Sequence, residues 1–455
     1  MNNGRLTALD DSFLAVESAT AHMHVGWAAT FRVADGRTRP SFTRMREHIE
    51  ARLPHAPRYR QRIAAVPLGL NDPIWVDDED FDIARHVVAS DARRIEDLVD
   101  FCMSVQLPRD RPLWQICIAE RLDDGRIGLV GKAHHCMVDG IAAVELGTLL
   151  LDPSPDPPQP KSDRWHPSHA PGIFRRLVGG VIDRTLDMAS LARLPAAITR
   201  SPRRAAELAG EVRRIGGAFA QAMRPAAPEK TFNQPITAAR HLASFDRPLA
   251  DLKRIGKAFG ASVNDVLLAA SAGGIHRFVT ARGEDPGPLK TMVPVNLREG
   301  SASELGNRIS FVFIDLPCGE SDPVRRLQDV HIKMSERKES GDPEAADAAL
   351  GAVKLLPRTA RHVVSRLMAS PRTFNLTVSN IPGPQEPMYL LGCELEAAYP
   401  VVPIADRHAV SIGMTSVRDR ACFGLYVARD CLPDADRLAE AIDGSIEELL
   451  GHAEV

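Results

Sequence analysis

The chain has 455 residues, 44% of them hydrophobic and 25% charged, and its 56 Lys and Arg against 59 Asp and Glu leave a net charge of −3. That length exceeds what one hydrophobic core usually serves, so two domains are expected. The near balance of charge excludes a global attraction to nucleic acid, and no run of about 18 consecutive apolar residues is present to cross a bilayer.

Residues 1–5 lead straight into mixed polar sequence, without the apolar stretch of a secretory signal. None of the seven cysteines has CxxC spacing, which points to free thiols in a reducing cytoplasm. From Met23 the sequence alternates. Met23, Val25, Trp27, Ala29, Phe31 and Val33 share one face, and Gly26, Thr30 and Arg32 fall on the other, the pattern of a half-buried strand. Ile116 and Ile118 mark a further strand, Asp123-Asp124-Gly125 supplies a turn, and Ile127, Leu129, Gly131 and Ala133 resume the alternation. Together they predict a hairpin whose second strand runs out at His134. A helix follows over residues 141–150, where Ala142, Ala143, Glu145 and Leu146 are good helix formers. Residues 1–151 are therefore assigned to a first α/β domain.

Residues 152–234 read as a connector. Prolines at 153, 155, 157, 158, 160, 167 and 171 resist packing and favour an extended linker. Residues 173–224 then show helical periodicity, with Ile173, Phe174, Leu177, Val178, Val181 and Ile182 on one face and Arg175, Arg176 and Arg184 outside it. Such a basic segment is either a solvated link between domains or a contact with a membrane or lipid-droplet surface. Residues 235–455 form the second domain. Ser262 and Asp265 have the spacing of a capping box ahead of an apolar helix. Strands are expected over residues 291–295, 309–316, 374–379, 410–417 and 422–427, with a last amphipathic helix from Asp434.

The chemistry concentrates in His134-His135-Cys136-Met137-Val138-Asp139-Gly140, an H-H-x-x-x-D-G heptad at a strand end. An alcohol is a poor nucleophile until its proton is removed, and an imidazole titrates near neutral pH. A turn after a strand lets such a base face a cleft. Other readings stand beside this one: a structural histidine pair, an N-cap role for Asp139, a metal site from His134, His135 and Asp139, or a Cys136 nucleophile. A P-loop is excluded at Gly131-Lys132, because Arg126 occupies the upstream glycine position and Ala133 that of Ser or Thr. No G-x-S-x-G elbow is present.

The heptad is the active-site motif of the CoA-dependent acyltransferase superfamily, which includes chloramphenicol acetyltransferase, carnitine acyltransferases, plant acyltransferases and peptide-synthetase condensation domains. Further segments carry a closer resemblance. They are Asp10-Asp11-Ser12-Phe13-Leu14, Met23-His24-Val25-Gly26, Arg58-Tyr59-Arg60-Gln61-Arg62, Trp75-Val76-Asp77-Asp78, Pro112-Leu113-Trp114, Ser262-Val263-Asn264-Asp265-Val266, Pro294-Val295-Asn296-Leu297-Arg298, Gly306-Asn307-Arg308 and Ser379-Asn380-Ile381-Pro382-Gly383-Pro384. In this order, nearly end to end, they resemble the bacterial wax ester synthase/diacylglycerol acyltransferases and, among these, mycobacterial triacylglycerol synthases.

The resemblance implies two chloramphenicol acetyltransferase-like α/β domains with mixed sheets flanked by helices, and an active-site tunnel between them. It implies acyl transfer from acyl-CoA to diacylglycerol, with fatty alcohols as second acceptors. His135 would be the general base, His134 would support it, and Asp139 with Gly140 would shape the loop. Arg298 is expected to pair with Asp139. Asn264 would line the channel or stabilise the oxyanion, unless it only belongs to its capping turn, and Ser379 and Asn380 would face the site or form a turn. Pro112-Leu113-Trp114 is expected to pack rather than react. No metal or prosthetic group is implied, acyl-CoA being a co-substrate, and the expected setting is cytoplasmic, peripheral to a membrane or lipid droplet and without nucleic acid. The alternatives are a carrier-protein-dependent condensation or transesterification enzyme and a weakly active lipid-binding paralogue. One departure bears on these: the family's glycine-rich stretch after Tyr399-Pro400-Val401-Val402-Pro403-Ile404 is replaced here by Ala405-Asp406-Arg407-His408.

Overall fold

The computed structural model describes residues 4–66, 72–137, 150–156, 165–169, 172, 217, 224–226, 230–296, 309–340 and 356–453. The architecture is α/β, with two six-stranded mixed sheets, each packed against helices. In the first half the elements are α1 (Ala8–Val16), β1 (His24–Arg32), α2 (Phe42–Glu50), β2 (Gln61–Ala64), β3 (Ile74–Asp77), β4 (Val87–Ala89), α3 (Ile95–Met103), β5 (Trp114–Ala119) and β6 (Ile127–His134). The second half supplies β7 (Arg240–Pro248), α4 (Leu249–Phe259), α5 (Val263–Thr280), β8 (Leu289–Asn296), β9 (Ile309–Leu316), α6 (Pro323–Glu339), α7 (Arg358–Met368), β10 (Leu376–Ile381), β11 (Tyr389–Leu390), β12 (Cys393–Val401), β13 (Val410–Val417), β14 (Arg420–Ala428) and α8 (Ala435–Ala453).

Local signals set many of these boundaries. Thr7 and Asp10 form a reciprocal capping box that starts α1, and Ser262 and Asp265 do the same for α5. The β5–β6 hairpin forms in antiparallel register, and Gly125 in its turn has φ +81°, where a side chain would be strained. The strand expected from Met23 is β1, but it is buried on both faces, Gly26 and Thr30 included. Its place in mid-sheet, between β12 and β6, also covers both of its edges.

The order of the first sheet is β11-β12-β1-β6-β5-β4. Residues 235–455 thus do not keep their strands to themselves: β12 pairs antiparallel with β1, from Gly26 opposite Val401 to Arg32 opposite Glu394. This covers an edge of β1 that the first half alone would leave open. The second sheet runs β7-β14-β13-β10-β8-β9, with its core completed by α4, α5, α6 and α8. Close helix packing there needs small residues, since a Cβ on Gly274 of α5 would lie 2.3 Å from the Ile442 side chain of α8.

The described parts of the proline-rich segment are docked rather than free. The Asp152 carboxylate accepts two hydrogen bonds from Arg52 Nη2, at 2.6 and 2.5 Å, and its backbone bridges to Tyr389. Ser168 donates from both its backbone N–H and its hydroxyl to Asp77. The helix expected over residues 141–150 lies outside the described residues except for Leu150, as does the basic stretch 173–224 except for Gly217 and Arg224. All seven cysteines are unpaired. Among the described residues no single helix is long and apolar enough to cross a membrane.

Candidate active site

Sheet pairing brings the histidine pair to a defined place. β6 ends at His134, which stands opposite His24 of β1. The His134 N–H donates to Leu113 O at 2.9 Å, and the His135 N–H donates to Met23 O at 2.9 Å. Met23 has φ +49°, an uncommon conformation for a residue with a side chain, and it turns its carbonyl onto the heptad. The backbone of both histidines is therefore held by chain that lies far away in sequence.

The two rings face different surroundings. His134 is fully buried, and its Nδ1 accepts the Cys136 N–H at 3.1 Å. The ring proton then belongs on Nε2, which lies 3.6 Å from the Glu17 carboxylate. Glu17 is itself held by Arg109 and by Gln106 Nε2 at 2.8 Å. His135 is half-buried and stacks on Phe13 of α1, with ring centroids 3.7 Å apart and planes 16° from parallel. Its Nδ1 makes no hydrogen bond of ordinary geometry among the described residues.

Burial penalises the charged form of each group. It pushes His134 down to about 3, aided by the nearby Arg109 charge, and His135 down to about 4, aided by His134. His135 is thus neutral at physiological pH and free to accept a proton. Burial raises the Cys136 thiol instead, which removes the thiolate a nucleophile needs.

Of the other residues singled out from sequence, Asp139, Gly140 and Arg298 lie outside the described residues. Asn264 stands half-buried in the first turn of α5, and its side chain makes no hydrogen bond among the described residues. Its neighbour Asp265 is committed, capping the Ser262 N–H at 2.9 Å and meeting His331 Nδ1 at 2.9 Å. Ser379 is buried and Asn380 half-buried towards the carboxyl end of β10, opposite Gly413 and Met414 of β13. These three belong to the second sheet and its helices, the histidine pair to the first, and no hydrogen bond joins the two sets among the described residues. Trp114 packs as expected, almost fully buried, with Nε1 donating to Tyr59 O at 2.7 Å and its ring against His86. Where the family's glycines are missing, Arg407 adopts φ +62°, a conformation that glycine would take without strain.

Sequence reading did not assign roles to Phe13, Glu17 or Asp11. The available signal was local: the Thr7-x-x-Asp10 capping box announces α1, which carries Asp11 and Phe13 and which Glu17 caps at its carboxyl end, its N–H donating to Phe13 O.

Comparison with known proteins identifies the family. Residues 6–267 match the wax ester synthase/diacylglycerol acyltransferase catalytic domain, and residues 305–450 match the WS/DGAT C-terminal domain. The Mycobacterium tuberculosis protein named "Probable diacyglycerol O-acyltransferase tgs1" is 32% identical over 98% of this chain and 95% of its own length. The solved wax ester synthase/diacylglycerol acyltransferase of Marinobacter aquaeolei VT8 superimposes with a TM-score of 0.69 at 26% identity, covering 99% of this chain and 100% of that one. The first condensation domain of the calcium-dependent antibiotic synthetase shares the fold alone, with a TM-score of 0.60 at 16% identity over 99% of this chain and 96% of that one. By sequence over its whole length and by fold, the chain belongs to the wax ester synthase/diacylglycerol acyltransferase family, a family of acyltransferase enzymes.

Proposed function

We propose that the chain transfers a long-chain acyl group from acyl-CoA to diacylglycerol, forming triacylglycerol, and to fatty alcohols, forming wax esters. The observation that carries the chemistry is His135: half-buried, neutral at physiological pH and presented on the turn that follows the end of β6. His135 takes the proton of the acceptor hydroxyl as its oxygen attacks the thioester carbonyl. The C–O bond forms and the C–S bond breaks. CoA leaves as the thiol, collecting the proton from His135. A positioned general base contributes about 10²–10⁴-fold in rate.

In this reading His134 supports the turn, and the roles left to Asp139, Gly140 and Arg298, which lie outside the described residues, are those the resemblance implies. Asn264, whose side chain makes no hydrogen bond among the described residues, is the candidate donor to the thioester oxyanion, and Ser379 and Asn380 of the second sheet are the candidates to face the site beside it. Acyl-CoA serves as co-substrate and no prosthetic group is invoked. The basic segment 173–224 is assigned to a membrane or lipid-droplet surface on the cytoplasmic side, where both lipid substrates collect.

The test is acyl transfer from palmitoyl-CoA to diacylglycerol and to hexadecanol, with His135→Ala beside the wild type. Product that falls by about 10²-fold or more in a folded variant supports the base. Wild-type protein inactive with free acyl-CoA yet active with a carrier-bound acyl group would overturn the reading in favour of a condensation-type enzyme.

A further inference from the structure

Helix α1 is gripped on two opposite faces. Phe13 and Glu17, one turn apart, meet the histidine pair: Phe13 stacks on His135 and the Glu17 carboxylate lies 3.6 Å from His134 Nε2. Residues two apart on a helix point away from each other, so Asp11 and Ala15 look the other way. There they meet α7, which comes from the second half of the chain. The Asp11 side chain is completely buried and accepts from Arg358 Nε and Nη2, at 3.0 and 2.8 Å, and from His362 Nε2 at 2.8 Å. Arg366 donates to the Ala15 carbonyl at 3.0 Å. Arg358, His362 and Arg366 follow at four-residue intervals and form one stripe on α7.

We infer that α1 is a positioning element through which the second half of the chain aligns the base: Phe13 sets the plane of the His135 ring, and the Asp11–Arg358 contact fixes α1 so that it can. This rests on His135 acting as the base. A flat ring stacked at 3.7 Å restricts rotation of the imidazole and excludes water from one of its faces. The stack on Phe13 and the backbone bond to Met23 both restrain His135. Phe13 and Asp11 are positioning residues, acting on the substrate only through His135.

The experiment compares wild type, Phe13→Leu, Arg358→Gln and His135→Ala in two assays. One measures kcat and KM for palmitoyl-CoA. The other measures the rate at which diethyl pyrocarbonate modifies His135, followed by mass spectrometry of its peptide. Phe13→Leu keeps apolar bulk but loses the flat stack, and should lower kcat about tenfold or more with KM within about twofold, since small misplacements of a reacting group are costly. Labelling of His135 should accelerate. Arg358→Gln should move both readouts in the same direction, and Arg358→Lys should restore part of kcat; if Arg358→Gln does not fold, Arg358→Lys is read in its place with an intermediate loss. Wild-type kcat and labelling in folded Phe13→Leu or in the folded Arg358 variant would overturn the inference. If His135→Ala is itself fully active, the base assignment fails; if it is inactive while the α1 variants behave as wild type, only the coupling fails.

Discussion

Gly413 of β13 and Gly424 of β14 stand directly opposite each other in register, and Pro400 of β12 lies against both. A Cβ on Gly424 would come 2.4 Å from Pro400 O, and one on Gly413 would come 2.8 Å from Pro400 Cγ. β12 is hydrogen-bonded into the first sheet, so this bare patch is where the second sheet accepts it. Gly424→Ala pushes on backbone and should destabilise the protein by about 1–3 kcal/mol, the usual cost of overpacking. Thermal melting checks it; a melting temperature equal to wild type would show that β12 can shift at no cost.

The acid limb of activity should sit low. His135 is held down to about 4 by burial, and its neutral form is the one that accepts the proton. Initial kcat/KM should therefore stay level as pH falls through the ordinary histidine value of 6.5 and decline only on approach to about 4. A limb centred near 6.5 would mean that the ring is solvated in the free enzyme.

The same shifts have a stability consequence of opposite reach. His86, His134 and His135 all titrate lower folded than the 6.5 expected of the unfolded chain, chiefly through burial. Below 6.5 the unfolded chain takes up protons that the folded state refuses, so this contribution is complete above 6.5 and is lost as pH falls towards about 4. Urea midpoints at pH 7.5 and at about pH 5 should differ, the acid one being lower. Replacing His86 by Phe should narrow the gap.

Asp11→Asn addresses the clamp directly. Desolvation opposes ionisation of Asp11, but hydrogen bonds and charge from Arg358 and His362 outweigh it and hold its carboxyl below the usual range. Removing the charge leaves the Arg358 guanidinium without its anionic partner. The expected loss is about 3 kcal/mol, the low end for a broken buried pair because Arg358 and His362 keep partial exposure. Denaturant unfolding at pH 7 measures it, and a change under about 1 kcal/mol would mark the pair as screened.

Asn264 and Asp265 should separate cleanly. Asp265→Asn weakens the capping box and the His331 contact, costing about 1 kcal/mol of stability with turnover per folded molecule retained. Asn264→Ala should leave the melting temperature near wild type and lower kcat about tenfold or more, as loss of an oxyanion donor does. Unchanged kcat in Asn264→Ala would reduce that residue to part of the turn.

What the sequence determined by itself is what local chemistry encodes. The turn at Asp123-Asp124-Gly125, the Ser262–Asp265 capping box and the strand end at His134 each depend on a few adjacent residues, and each appears where the pattern places it. The family resemblance rests on the same kind of local segments, which is why the acyltransferase chemistry was legible. Tertiary structure decided the rest. A strand's sheet is chosen by which edge it covers, so nothing in Cys393–Val401 announces that it pairs with β1. Asp11 and Arg358 are 347 residues apart, and a buried carboxylate takes whichever cation the fold delivers to it. The stack of Phe13 on His135 likewise joins side chains from segments far apart in the chain. Periodicity says which face of a helix is buried; only packing of distant segments says against what.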